Sequence, residues 1–456
     1  MPAIRVNTER MNVAVTAGRA AGGARLPRPV AVAIVTAVGL VSAVAIVALW
    51  LRAGGVSEVN GGADALTSAG RLTALLGAYL ALAAVLLLAR IPMLERLAGF
   101  GRLAVWHRWA ARSCLALLLA HAALTTAGLT LGDRIPLPRE AARLISQYPG
   151  VITATAGLVL LIGVGVTSTV IARRRLRYET WYFVHLYTYL AIALAFSHQI
   201  ATGKDFVGDP AARVYWTALY VFTLGALVLF RIALPLARAA RHRLRVARVV
   251  DEAPGVVSIE MNGRELDRLG AQPGQFFFWR FLTPGRWWQA HPFSLSAPPD
   301  GRRLRITVKS SGDFSSGLRD LSPGTRVLAE GPYGSFTAEA RRRDRVALIA
   351  GGAGITPIRA LLETLPARRG DIAVVYQVPH VDEVVFQDEL ERLARERGAD
   401  LHFVAGAACD LPRLIPDVAQ RDAFVCGPPG MVEATRASLI AAGVPARHIF
   451  SERFAL

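Results

Sequence analysis

The chain has 456 residues, 53% hydrophobic and 19% charged, and its mean hydropathy is +0.37; a soluble enzyme carries more charge, so part of it belongs in lipid and the length suggests roughly two to four domains. The net charge of +18 is almost wholly arginine, with Lys204 and Lys309 the only lysines, and no basic helix interleaved with stacking aromatics points to nucleic acid. The three cysteines, Cys114, Cys409 and Cys426, have no metal spacing and are too few for a four-thiolate iron–sulfur cluster.

Residues 1–28 are polar and arginine-bearing, which predicts a short disordered cytoplasmic tail rather than a cleaved signal peptide. Six apolar stretches follow, at 29–51, 70–90, 103–130, 150–172, 180–202 and 213–237. Each reaches the length of about 20 residues that a helix needs to cross hydrocarbon. Arginines sort the loops. The tail, the loop with Arg90, Arg96 and Arg102, the run Arg173-Arg174-Arg175-Leu176-Arg177 and the group Arg238 to Arg245 share one side. The positive-inside rule makes that side cytoplasmic, together with both termini, and a plasma-membrane location follows as the expectation.

Four of the nine histidines lie in two of these spans: His107 and His121 in the third, His185 and His198 in the fifth. Ionisable groups at such depth are costly and are functional candidates by default. Imidazole is a common axial ligand of haem iron, so two helices with two histidines each could hold two haems. The intervals of 14 and 13 residues rise roughly 20 Å, which predicts an inner pair, His107 with His185, and an outer pair, His121 with His198. On an ideal helix His107 and His121 share a face, but His185 and His198 stand about 140° apart, which predicts a kink or overwinding there. Arg108 and Arg112 sit beside the inner site, either as partners of haem propionates or as inner-face anchors.

Beyond residue 242, short β-like runs such as Phe276–Trp279 and Leu304–Val308 predict a small antiparallel barrel over 243–338. From 345 onward strands alternate with helical stretches, the pattern of a parallel α/β sheet. The run His291-Pro292-Phe293-Ser294-Leu295-Ser296 offers a hydroxyl and a flat apolar wall. Lys309-Ser310-Ser311-Gly312-Asp313-Phe314-Ser315-Ser316-Gly317 reads as a glycine turn opening a helix, with Asp313 as a cap. Gly351-Gly352-Ala353-Gly354-Ile355-Thr356-Pro357 follows an apolar strand and precedes a helix, the context in which glycines let a backbone approach a pyrophosphate. Cys426-Gly427-Pro428-Pro429-Gly430-Met431 follows another strand, and Ser451-Glu452-Arg453-Phe454 ends the pattern.

Taken together, from residue 70 onward, these motifs resemble the ferric reductase and NADPH oxidase superfamily, whose soluble half is like ferredoxin–NADP reductase. The resemblance implies a multi-domain chain: a tail (1–28), a six-helix transmembrane haem-binding bundle (29–240), an antiparallel β-barrel FAD domain (241–340) and an α/β parallel-sheet NAD(P) domain (341–456). It assigns His291, Pro292, Phe293, Ser294 and Leu295 to FAD, and Lys309, Gly312, Phe314, Ser315 and Ser316 to its pyrophosphate. Gly351, Gly352, Gly354, Ile355, Thr356, Pro357, Cys426, Gly427, Pro428 and Met431 fall to the nucleotide. Ser294, Cys426 and Phe454, an aromatic that covers the flavin ring, fall at the reacting rings. The four histidines fall to two b-type haems. The implied activity is electron transfer from cytoplasmic NADH or NADPH, through FAD and the haems, to an acceptor outside. A ferric chelate is the first expectation for that acceptor and oxygen, giving superoxide, the second; a membrane-anchored flavin reductase serving a partner protein or quinone is the rival. No EF-hand loop is present to bring calcium control. The stretch Gln377-Val378-Pro379-His380 carries no arginine for a 2′-phosphate, a slight lean toward NADH.

Overall fold

The computed structural model describes residues 28–169, 176, 178–406 and 409–454. The tail expected before the first span, and Arg173, Arg174, Arg175 and Arg177, lie outside them.

The apolar stretches form helices close to their predicted bounds: α1 (Arg28–Arg52), α2 (Gly62–Leu87), a short α3 (Pro92–Ala98), α4 (Phe100–Asp133), α5 (Leu137–Gln147), α6 (Val151–Thr167), α7 (Tyr178–Thr202), α8 (Pro210–Leu227) and α9 (Leu234–His242). Helix α8 continues through a π-helical stretch, Val228–Ala233, into α9, so the last span runs from Pro210 to His242. Among the described residues five helices are long and apolar enough to cross a membrane, or six if the bent pair α5 and α6 is one span. The fourth predicted stretch differs. It is helical only from Val151 to Thr167, and α5 meets α6 at 109°. Gly150, in the left-handed region at φ +76°, makes that corner.

Small residues let these helices approach closely, as apolar helices in lipid require. A Cβ at Gly70 of α2 would sit 2.5 Å from Thr125 Oγ1 of α4, and one at Gly128 of α4 would sit 2.8 Å from the Ala63 carbonyl oxygen. Gly157 does the same for α6 against α7, where a Cβ would meet the Ala191 carbonyl oxygen at 2.8 Å.

After α9, the strands β1 (Arg245–Ala253), β2 (Val256–Asn262), β3 (Phe276–Phe281), β4 (His291–Ser294), β5 (Arg303–Lys309) and β6 (Val327–Tyr333) do not close into the expected barrel. They form two three-stranded antiparallel sheets, ordered β1-β2-β5 and β4-β3-β6. Only isolated bridges, Arg245 with Arg326 and Leu295 with Ile306, join them as strand pairs among the described residues. Irregular registers in β1 and between β3 and β6 bend the strands, so the sheets meet through one core containing Ile259, Met261, Phe277, Trp279 and Ile306 rather than a continuous ladder.

The last third matches the predicted alternation. Strands β7 (Val346–Gly351), β8 (Ile372–Val378), β9 (Asp400–Ala405), β10 (Asp422–Gly427) and β11 (Ile449–Arg453) form a parallel sheet in the order β11-β10-β7-β8-β9. Helices α10 (Ile355–Thr364), α11 (Gln387–Arg397) and α12 (Pro429–Ala441) connect the strands.

The soluble sheets dock against one end of the helical bundle. Arg90, just after α2, pairs with Glu330 of β6 and lies 3.9 Å over the Phe278 ring. Phe100 at the start of α4 meets Phe278 at 6.1 Å, and Phe183 near the start of α7 meets Trp288 at 4.9 Å. Arg238 of α9 donates to the Gly331 carbonyl. These contacts place His107 and His185 at the flavin-sheet end of their helices, with His121 and His198 farther away.

Candidate redox site

The four histidines meet as two pairs. The ring centroids of His107 and His185 are 6.1 Å apart, and those of His121 and His198 are 6.4 Å apart. Two imidazoles on opposite sides of one metal, each with a bond of about 2.0 Å, place their centroids roughly 6 Å apart. His107 Nδ1 lies 2.9 Å from the Ala84 carbonyl oxygen, and His121 Nδ1 lies 2.9 Å from that of Gly70. A carbonyl only accepts, so each Nδ1 carries the proton and Nε2 keeps the lone pair a metal takes. Ala84 and Gly70 are spaced along α2 as the two histidines are along α4, so one antiparallel helix orients both rings. Thr202 Oγ1 lies 2.9 Å from His198 Nδ1, and Trp181 stacks on His185 at 5.1 Å. Among the described residues no group of three or more metal-ligating side chains forms.

The kink expected between His185 and His198 is absent as a break: α7 is helical throughout. Arg108 and Arg112 are exposed on α4.

The flavin motif forms β4, paired with β3. The His291 ring stacks on Phe314 at 3.8 Å, and Phe293 lies nearly parallel to Phe314 at 15°. Ser294 is 3% exposed, and its Oγ has no hydrogen-bond partner among the described residues. Such a buried hydroxyl is costly unless a ligand completes it. Leu295 is fully buried behind it. In the following loop the Ser311 N–H donates to Ser315 Oγ at 2.9 Å, and Arg286 Nη1 donates to the Gly317 carbonyl at 2.5 Å. Asp313 is the first residue of the short turn Asp313–Ser316, which also holds Phe314, Ser315 and Ser316; Gly312 occupies the cap position expected for Asp313. Lys309 turns toward the neighbouring cleft, where its Nζ lies 2.8 Å from Glu383 Oε2.

The glycine loop links β7 to α10. A Cβ on Gly354 would lie 2.1 Å from the Cys426 carbonyl oxygen, and one on Gly351 would lie 3.1 Å from Met431 Sδ. Thr356 Oγ1 donates to the Ala353 carbonyl at 3.0 Å, and Ile355, Thr356 and Pro357 form the first turn of α10. This loop borders a cavity of about 250 Å³ between the nucleotide sheet and β2 and β5 of the flavin sheets. Cys426 is fully buried at the end of β10, and burial pushes its thiol well up, so it is a neutral packing group and no thiolate. Gly427 accepts the Phe454 N–H at 3.0 Å, and Pro428 caps α12.

One functional candidate escaped the sequence. Glu452 pairs in register with Cys426, its Oε2 is buried without a partner, and burial raises its carboxyl to about 8. A Cβ on Gly334 would sit 3.4 Å from Glu452 Oε1 and 3.3 Å from the Phe276 ring, and Phe276 pairs with Ser294. The hydroxyl, the carboxyl and the β10 end therefore share one neighbourhood.

A multi-pass helical domain is thus joined to a pair of antiparallel sheets and a parallel α/β sheet. Three family models match: ferric reductase like transmembrane component over 73–196, FAD-binding domain over 243–337 and oxidoreductase NAD-binding domain over 348–414. Together these three models match the ferric reductase and NADPH oxidase superfamily. It is similar to the ferredoxin reductase component of 3-ketosteroid-9-alpha-monooxygenase from Mycolicibacterium smegmatis, 33% identical over 46% of this chain and 65% of that one. A flavohemoprotein of Deinococcus radiodurans is 31% identical over 46% of this chain and 58% of its own length. The chain thus spans less than two thirds of either relative. The flavohem-like FAD/NAD-binding domain of nitric oxide dioxygenase from Vibrio cholerae matches at 27% identity and a TM-score of 0.42, over 46% of this chain and 98% of that one.

Proposed function

We propose that the protein carries electrons from cytoplasmic NAD(P)H through FAD and across the plasma membrane to an acceptor on the outer face, a ferric chelate in the first instance. The observation that supports this most is the pair of facing imidazole couples, 6.1 and 6.4 Å between centroids, set one beyond the other from the flavin sheets. In this reading residues 29–240 form the membrane domain, 241–340 hold FAD and 341–456 bind the nucleotide. The positive-inside rule puts both soluble units and both termini in the cytoplasm.

His107 with His185, and His121 with His198, would hold two b-type haems, and His291 to Leu295 with the loop from Gly312 to Ser316 would hold FAD. Flavin, when bound, exchanges a two-electron hydride for the single electrons that haem iron accepts. The chain's own groups prepare that exchange. Ser294 would offer its hydroxyl to the flavin. Glu452, protonated at neutral pH, offers a second donor beside it. Gly351, Gly352 and Gly354 clear the backbone for a pyrophosphate, and Phe454 would cover the flavin ring. The Ala84 and Gly70 carbonyls fix the tautomers of His107 and His121, and the apolar helices keep water from the path.

Proteoliposomes test the reading. With the soluble domains outward and a ferric chelate sealed inside, external NADH or NADPH is expected to reduce the trapped iron. Reduction of external acceptor alone would leave a membrane-anchored flavin reductase, and superoxide in place of ferrous iron would make oxygen the acceptor.

A further inference from the structure

Three ionic side chains close the seam between the flavin sheets and the nucleotide sheet. Glu389 of α11 meets Arg359 of α10 at 2.5 Å and Arg305 of β5 at 3.2 Å. Both arginines also donate to one backbone atom, the Ser296 carbonyl oxygen, Arg305 Nη2 at 3.0 Å and Arg359 Nη1 at 3.2 Å. Ser296 ends the run that begins at His291, close behind Ser294, and it is fully buried. Its N–H donates to the Arg305 carbonyl at 2.9 Å, and its hydroxyl accepts from Thr307 Oγ1 at 2.8 Å. The Arg305 guanidinium also lies 5.0 Å from the ring centroid of Phe386, the residue that precedes α11.

Two guanidiniums on one carbonyl repel each other, and the carboxylate between them makes the arrangement favourable. The side chains of Arg359, Arg305 and Glu389 are 5%, 16% and 22% exposed, so solvent screens them weakly. Another ion pair across the seam, Lys309 with Glu383, is 47% and 33% exposed and contributes little. Arg359 keeps a second carboxylate, Glu363, at 2.6 Å on its own helix. Loss of Glu389 would therefore loosen the link between the units more than the fold of the nucleotide unit itself.

We propose that Glu389 is a positioning residue: through Arg305 and Arg359 it locks α10 and α11 onto Ser296, and so sets how a nucleotide on one unit meets a flavin on the other. The inference rests on the function proposed above, in which those units hold FAD and NAD(P)H. The step it tunes moves two electrons and one proton together as a hydride. The C4–H bond of the dihydronicotinamide breaks, an N–H bond forms on FAD, and the nucleotide leaves oxidised. Such a transfer needs its reacting atoms about 3–3.5 Å apart, and a displacement of about 1 Å costs roughly a hundredfold.

The test uses the full-length purified protein with FAD bound. Anaerobic stopped-flow bleaching of the flavin, over a range of NADH and of NADPH concentrations, separates the limiting rate from the apparent dissociation constant. Hydrogen–deuterium exchange without nucleotide reads the seam itself. Glu389→Gln is expected to lower the limiting rate about tenfold or more and to leave the dissociation constant within about threefold. Exchange over residues 294–306 and 386–397 should rise about tenfold. Arg305→Gln should act in the same way, and adding it to Glu389→Gln should change the rate less than about twofold, because both remove one linkage. If Glu389→Gln fails to retain FAD, Arg305→Gln decides alone. Limiting rates close to wild type, effects that multiply in the double variant, or an affinity loss as large as the rate loss with unchanged exchange would overturn the assignment. If neither nucleotide bleaches the wild-type flavin, the functional reading fails, while the exchange rates still report whether Glu389 holds the seam.

Discussion

Arg90 and Glu330 form an ion pair that ties the end of α2 to β6, with side chains only 11% and 13% exposed. The same guanidinium covers Phe278, and Arg90 adopts a left-handed backbone at φ +62°, unusual for a residue with a side chain. Helix α2 also supplies the Ala84 carbonyl that orients His107. One helix thus fixes both the flavin sheet and an imidazole of the inner pair.

Removing one partner of a buried ion pair costs about 3–5 kcal/mol, enough to depopulate the docked arrangement by a hundredfold or more. Arg90→Ala should therefore leave nucleotide-driven flavin bleaching intact and slow reduction of the membrane domain at least about tenfold. The exchange Arg90→Glu with Glu330→Arg should recover part of the rate. Stopped-flow absorbance separates the two steps, and equal slowing of both would contradict the docking role.

Ser294 should show opposite signs with and without flavin. Its hydroxyl is buried and unpartnered, so Ser294→Ala should leave the flavin-free protein as stable or more stable, by up to about 1 kcal/mol. FAD affinity should fall about tenfold, the value of one hydrogen bond. Equilibrium dialysis and thermal unfolding of the flavin-free form measure the two effects.

Glu452 gives a pH dependence with a defined direction. Its carboxyl is raised from 4.5 to about 8, so between those values the native state holds a proton that the unfolded chain releases. This contribution is fully present below about pH 4.5 and is lost as pH rises through about 8. Glu452→Gln removes the titration and should flatten that part of the profile, read as the temperature at which flavin is released. An unchanged slope would mean that the carboxyl ionises normally.

Two glycines of one loop should respond differently to alanine. At Gly354 the new methyl would lie 2.1 Å from the Cys426 carbonyl oxygen, a backbone atom that cannot step aside. At Gly352 nothing lies within 4 Å, and only the left-handed φ of +49° opposes the change. Gly352→Ala should cost roughly 1–2 kcal/mol. Gly354→Ala should cost more and abolish nucleotide binding, which titration with NAD⁺ would measure while FAD content controls for folding.

The spans were legible because hydrocarbon thickness sets a length that composition reveals directly, and α1, α4 and α7 start and end near the predicted residues, whereas α2 begins at Gly62, well before the predicted 70. The corner at Gly150 was hidden inside a continuous apolar run. Strand pairing was less legible. Alternation identified β3 and β5 but not which edges meet, so a barrel was expected where two sheets share a core. At the candidate site, motif residues could be found because glycines and a histidine–proline pair stand out. Glu452 could not, since a carboxylate between Ser451 and Arg453 reads as solvent-exposed until β11 sets it beside Cys426. Arg90 passed as one inner-face arginine among several, and only the docked sheets show its partner.

The haem content of single histidine variants is the measurement closest to the centre of the account. Pyridine haemochrome assay of purified protein should give about two haems per chain, the number of imidazole pairs, with His121→Ala and His185→Ala each retaining about one. The His121→Ala protein should keep a haem that nucleotide still reduces, because the pair next to the flavin sheets is intact, whereas His185→Ala should keep one that nucleotide reduces poorly. Wild-type protein without haem, or full haem content in both variants, would contradict the assignment of these four histidines.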